Sequence, residues 1–102
     1  MALFLRQVRG HPRVTDAFRV IHKAAGEEIE IGSIGLQTGS HQRQFWHWGI
    51  DTVLPRQPFA TKGEARDRDD AMAQFRAVWE VFASEPERLA SFLEAKRAVR
   101  KA

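Results

Sequence analysis

The chain has no cysteine among its 102 residues. This absence excludes disulfides, thiolate zinc sites, iron–sulfur clusters and a cysteine nucleophile, and it fits a reducing compartment. Stability must therefore come from the burial of apolar side chains, which make up 43% of the residues. A chain of this length supports one core, so residues 1–102 are predicted to form a single domain.

Long hydrophobic runs are also missing. The run Leu3-Phe4-Leu5 is followed by Arg6 and Arg9, and no segment has the length of a signal-peptide core or a membrane span. We therefore expect a cytoplasmic protein without a membrane partner.

The excess of positive charge is small, since 16 Lys and Arg against 13 Asp and Glu give a formal net charge of +3. The cations gather at both ends of the chain, so their distribution is more informative than their sum. Either they are solvated and cap the end of a helix, or they form a nucleic-acid-binding surface. The candidate nucleic-acid-binding residues are Arg6, Arg9, Arg13, Arg19, Lys23, Arg97 and Arg100.

Alternation of apolar and polar residues predicts an antiparallel β-meander over residues 17–53, preceded by an arm or a short strand in residues 1–16. The last predicted strand directs Trp46 and Trp48 toward the core. Its other face carries Phe45 and His47.

The middle strand contains a change of parity. Ile29 and Ile31 share one parity, whereas Ile34 and Leu36 share the other. One extra residue between the two pairs keeps all four on the same face, so we predict a β-bulge at Gly32-Ser33.

Two helices are predicted after the meander. Residues 54–66 contain two prolines and a glycine and are predicted to form a loop. Asp67 is a suitable N-cap for a helix over 67–83, and the Ser-x-x-Glu box at Ser84 begins a second helix over 85–99. The predicted fold is α+β, in the order β-β-β-α-α, with three antiparallel strands and a fourth short N-terminal strand as the alternative.

The four histidines show neither metal-ligand spacing nor neighbouring cysteines, so we expect no metal and no cofactor. His47 and Asp51 lie four residues apart on one strand face, about 13 Å at about 3.3 Å per residue, which is too far for a hydrogen bond. A catalytic His47 would need a carboxylate from another strand, Glu28 or Glu30. A small enzyme that uses His47 or His22 with a carboxylate is one alternative, although the sequence assigns no catalytic residue.

The remaining candidate is a surface. If no helix covers the second sheet face, Phe45 and His47 are exposed for contact with another protein or a second copy. The sequence therefore predicts a non-enzymatic interaction or self-association module, with a homodimer among its forms. Nucleic-acid binding through the basic segments is the alternative.

The chain also resembles a known group of proteins. Trp46-His47-Trp48, followed by Lys62-Gly63-Glu64-Ala65 and the helical run from Asp69 to Trp79, is similar to a pattern in small uncharacterised proteins of rhizobial-type alphaproteobacteria. In that family a Trp-x-Trp strand precedes a Gly-x-Ala segment and an Ala-x-x-x-Phe-x-x-x-Trp helix. The resemblance covers roughly residues 18–95 and implies a bacterial origin and a shared fold. It implies no activity and no catalytic residue.

Overall fold

Five antiparallel strands, two α-helices and a short 3-10 helix, Ser40–Gln42, form the described part of the computed structural model. The model describes residues 2–8, 17–53, 57 and 59–101, without the side chains of Ala2, Gln42, Arg100 and Lys101. The strands follow one another across the sheet in chain order. Their bounds are β1 Ala2–Gln7, β2 Ala17–Ala24, β3 Glu27–Thr38, β4 Gln44–Ile50 and β5 Lys62–Ala65. The helices are α1 Arg68–Ala83 and α2 Pro86–Lys101.

The predicted α+β class, with an antiparallel sheet followed by two helices, is confirmed, but the predicted number of three strands is wrong. β1 is the short N-terminal strand of the alternative prediction, whereas β5 forms within the predicted loop 54–66. β5 has no β-branched or aromatic residue, so its sequence carries no strand signal. It pairs with β4 through Trp46 opposite Ala65 and Trp48 opposite Gly63.

The predicted bulge exists and lies one residue earlier than expected. Val20 of β2 pairs with Gly32, whereas Ile21 pairs with Glu30, so Ile31 is the extra residue of β3. The bulge keeps the apolar residues on both sides of it directed to one face.

That inner face of the sheet is covered by both helices. α1 packs on β3, β4 and β5, and α2 packs on β3 and α1. From the strands the core takes Val20, Ile29, Ile31, Ile34, Trp48, Ile50 and Ala65, and from the helices Ala71, Phe75, Trp79, Phe82 and Phe92. Trp46 packs against this core and is half-buried. Both strand tryptophans therefore point inward, as predicted.

Local signals account for the start of α1. The Asp67 carboxylate accepts a hydrogen bond from the Asp70 backbone N–H at 2.7 Å, which satisfies one of the free donors of the first turn. Further along the helix Gln74 accepts a hydrogen bond from the Trp48 indole N–H at 2.8 Å. This bond gives the buried tryptophan its polar partner and joins α1 to β4.

Candidate interaction surface and the Asp51 cluster

The outer face of the sheet, opposite the helices, carries the residues that alternate with the core positions. Phe45 and His47 lie there on β4 and are half-buried. Phe45 pairs with Gln37 of β3, and His47 lies between Gly35 of β3 and Glu64 of β5. The predicted pair of surface residues is thus on the face that the prediction required.

Phe45 is held in place by the turn that precedes its strand. The Arg43 guanidinium lies over the ring, 5.6 Å from its centroid. A Cβ atom at Gly39 would come within 3.1 Å of the ring, so the turn passes close to its edge. The aromatic ring therefore presents a defined amphipathic surface, with an arginine on one side.

The same arrangement recurs at the other end of the outer face. Phe4 of β1 is half-buried, and the Arg6 guanidinium lies 5.8 Å from its ring centroid. Arginine over phenylalanine combines a cation–π contact with a broad apolar surface.

The predicted nucleic-acid-binding residues fall in two places. Arg6, Arg19 and Lys23 occupy outer-face positions of β1 and β2, where Arg6 pairs in register with Arg19. Arg97 lies on α2. Arg9 and Arg13 lie outside the described residues, as does the Arg100 side chain.

Acidic side chains accompany these cations. Arg6 contacts Glu28 at 2.8 Å, and Arg19 contacts Glu30 at 3.3 Å. Arg97 donates two hydrogen bonds to one oxygen of the Glu27 carboxylate and one to the other, at 2.6 to 3.2 Å, and these bonds raise the pKa of Arg97. The positive charge of these three arginines is therefore balanced locally.

Asp51, directly after β4, is a partly buried carboxylate with two cationic partners. Arg19 approaches its carboxylate at 2.5 Å and Lys96 of α2 at 2.6 Å. The Asp51 backbone N–H donates to the carbonyl of Ile31, the bulged residue, at 2.9 Å. We refer to Arg19, Asp51 and Lys96 as the Asp51 cluster.

The electrostatics of the cluster indicate a structural role. Burial alone would raise the pKa of Asp51, but the hydrogen bonds from Arg19 and Lys96 outweigh it and hold the pKa below the usual value. Burial lowers the pKa of Arg19, and its bonds to Asp51 outweigh that effect, so the pKa is raised. With its pKa lowered, Asp51 stays ionised near neutral pH and is a poor proton donor or acceptor.

Sequence reasoning did not find this cluster, although one signal was present. Lys96 continues the apolar stripe that Leu89, Phe92 and Leu93 form on α2. A lysine at such a position requires a partner when its side chain is only 14% exposed. The identity of that partner, 45 residues away, follows only from the fold.

The contacts of the candidate carboxylates do not support the histidine–carboxylate alternative. The predicted partners Glu28 and Glu30 contact Arg6 and Arg19, and Glu64, which lies beside His47, contacts Arg43 at 3.4 Å. His22 points inward, is only 4% exposed, and has its ring centroid 5.6 Å from that of Trp79. Burial lowers the pKa of His22, partly opposed by Glu27.

Two shallow clefts of about 400 Å³ open on the surface. One lies at the start of α1, between Trp46 and Asp67–Asp69. The other follows α2 along Leu89 and Leu93. The described lining of neither cleft includes a histidine, so neither brings an imidazole to a carboxylate.

The described part of the chain contains no group of three His, Asp or Glu side chains placed to hold a metal ion. Of its helices, none has both the length and the apolar character to cross a membrane.

Comparison of the chain with protein-family models, with curated proteins and with solved structures finds no match. The resemblance to the small rhizobial-type proteins therefore stays a prediction.

Proposed function

We propose that this protein is a non-enzymatic interaction module, which binds a protein partner or a second copy of itself through the side of the sheet opposite the helices. The observation that carries the proposal is the pair of arginine–phenylalanine contacts on the outer face, at Phe4 and at Phe45. Aromatic residues and arginine are the residue types enriched in protein interfaces.

The charges on this face favour the same conclusion. Ion pairs such as Arg6–Glu28 and Arg19–Glu30 leave a surface of mixed sign. A face of this kind fits another protein better than a phosphate backbone, which favours unpaired cations.

The test of the module is the mass of the protein in solution from about 1 to 100 µM, a range that brackets moderate dissociation constants. We expect the mass measured by light scattering to rise with concentration. DNA and RNA binding is measured on the same sample at about 50 and 200 mM salt. A monomer at every concentration that binds nucleic acid only at the lower salt would contradict the proposal and support the nucleic-acid alternative.

The contribution of Phe45 is tested by Phe45→Ser, with Val81→Ser as the matched control. Val81 is an apolar residue on α1 with 54% of its surface exposed, far from the outer face. We expect Phe45→Ser to weaken binding of a partner through the outer face at least about 10-fold, and the control to leave it unchanged. Equal behaviour of the two variants would remove Phe45 from the interaction surface.

A further inference from the structure

β1 and β5 are the two edges of the sheet, and they differ in how they are protected. β5 has four residues, of which Lys62 and Glu64 are charged. Charges and shortness are common protection against strand pairing between molecules. β1 has six residues, Ala-Leu-Phe-Leu-Arg-Gln, of which only Arg6 is charged.

The hydrogen-bond pattern of β1 shows which of its backbone groups point away from the sheet. The Val8 N–H donates to the Ala17 carbonyl at 2.8 Å, so Val8 and every second residue before it bond toward β2. The backbone N–H and C=O groups of Leu3 and Leu5 therefore point away from the sheet. Among the described residues, β2 is the one strand that pairs with β1.

No other protective device is present in β1. Its register with β2 is continuous from Ala2 to Gln7, without a bulge. The strand contains neither proline nor glycine. The Arg6 side chain is directed over its own sheet, where it contacts Glu28 at 2.8 Å. An edge of this kind is suited to receive another strand.

We propose that two copies of this chain pair through β1, antiparallel and about a twofold axis at Phe4, to form a continuous ten-stranded sheet. This inference rests on the proposed function and names its partner, a second copy, which meets the β1 edge and, of the outer-face aromatics, Phe4; Phe45 lies three strands away, outside this contact. In this register Leu3 of each copy pairs with Leu5 of the other through backbone hydrogen bonds. The two Phe4 side chains face each other on the outer face, in the closer, non-hydrogen-bonded type of pair.

The register follows from the residues that would meet. An axis at Arg6 would place two arginines opposite each other, which is unfavourable. An axis at Leu5 would pair Leu3 with Gln7 and so place a polar side chain beside an apolar one on the inner face. The axis at Phe4 pairs Leu3 with Leu5 on the inner face, where both pack against the core of their own subunit, and Phe4 with Phe4 on the outer face, where Arg6 lies opposite the small Ala2.

The absence of native cysteine makes cross-linking a direct test of this register. Phe4→Cys places two thiols across the axis on strands whose Cα atoms are about 4.5 Å apart, within the range for a disulfide. We expect this variant to form covalent dimers under mild oxidation. The matched control is Arg6→Cys, whose two thiols would lie four residues out of register, about 13 Å apart, and should not cross-link.

Charge complementation gives a second test that does not depend on oxidation. We expect Phe4→Lys and Phe4→Glu each to be monomeric, because like charges meet at the axis, and an equimolar mixture of the two to dimerise. Thermal unfolding of each variant at low concentration shows that the monomer fold is kept.

Several results would overturn the pairing. Cross-linking of Arg6→Cys with itself, or with Phe4→Cys in a mixture, would assign a different register. A mass that rises with concentration without any Phe4→Cys cross-link would reject the β1 edge and leave the proposed function intact. A chain that is monomeric up to about 100 µM would reject the β1 pairing and also self-association as the proposed function.

Discussion

Replacing Asp51 with Asn should destabilise the fold more than any other single charge removal among the ion pairs described above. The substitution keeps the size of the side chain and removes its charge. It leaves Arg19 and Lys96, whose side chains are 26% and 14% exposed, facing a neutral amide. Both cations then lose the partner that offset their partial burial.

The magnitude follows from the degree of burial. Removing one partner of a fully buried ion pair costs about 3–5 kcal/mol, whereas exposed pairs contribute up to about 1 kcal/mol. Asp51 is 23% exposed and has two cationic partners, which places it between these limits. We expect a loss of about 2 kcal/mol in the free energy of unfolding, or about 10 °C in Tm for a domain of this size.

Denaturant unfolding at pH 7 measures the effect, with Glu64→Gln as the control. Glu64 contacts Arg43 at 3.4 Å, and both side chains are more than half exposed. The control should therefore cost less than about 0.5 kcal/mol. Hydrogen exchange should locate the Asp51→Asn effect in the C-terminal half of α2, because Lys96 joins that half to the end of β4.

The pH dependence gives an independent check of the sign. Because the folded-state pKa of Asp51 is lowered, its stabilising contribution is fully present above the unfolded value of about 3.9 and is lost as the pH falls through the folded value. The difference in unfolding free energy between the original chain and Asp51→Asn should thus be constant from pH 5 to 7 and shrink below about pH 4. Each unit by which the pKa of Asp51 is lowered corresponds to about 1.4 kcal/mol of this difference. Equal stability at pH 7, or a difference that grows on acidification, would refute the reasoning.

Two further predictions concern the core. In Gly32→Ala the new Cβ would lie 2.3 Å from the Gly49 carbonyl oxygen and 2.5 Å from the Phe75 ring, so we expect a loss of about 3 kcal/mol in denaturant unfolding; a loss below about 1 kcal/mol would show that the strands and ring can move apart. Because burial lowers the folded-state pKa of His22, stability should fall as the pH drops from about 6.5 toward that folded value, and His22→Leu should remove this dependence between pH 7.5 and 5.5. An unchanged pH profile in the variant would assign the effect to another group.

The strands that sequence reasoning found and missed differ in where their stabilisation comes from. β4 carries its own signal, because Trp46, Trp48 and Ile50 recur at every second position. β5 is stabilised by what it lies against: a Cβ atom at Gly63 would meet the Trp48 indole at 3.0 Å, so the small residue fits the space beside the ring. A partner 15 residues away in sequence cannot be read from four residues that have no strand propensity.

The position of the bulge shows a similar limit of prediction from sequence, at the level of a single residue. The change of parity between Ile31 and Ile34 requires one extra residue, but several positions satisfy the alternation equally well. Packing selects among them: Gly32 lies against the Phe75 ring from α1, and Ile31 becomes the extra residue. Periodicity thus predicts that a bulge exists, and the helix above the sheet determines its position.

Polar groups inside this fold are used to join distant segments. Trp48 donates to Gln74, Lys96 to Asp51 and Arg97 to Glu27, and these three bonds connect the helices to the sheet. Groups engaged in this way are not available to a substrate.

Two buried polar atoms are exceptions to this pattern of bonded polar groups. Nε2 of His22 and Nε1 of Trp79 have no hydrogen-bond partner among the described residues. They lie in the aromatic core, where the side chains are 4% and 1% exposed, and a substrate could not reach them without opening the fold. Groups that are accessible at the surface include the backbone edge of β1 and the aromatic rings of the outer face. On the function proposed above, such a protein recognises a partner by strand pairing and surface contact, so its association state in solution is the property to measure first.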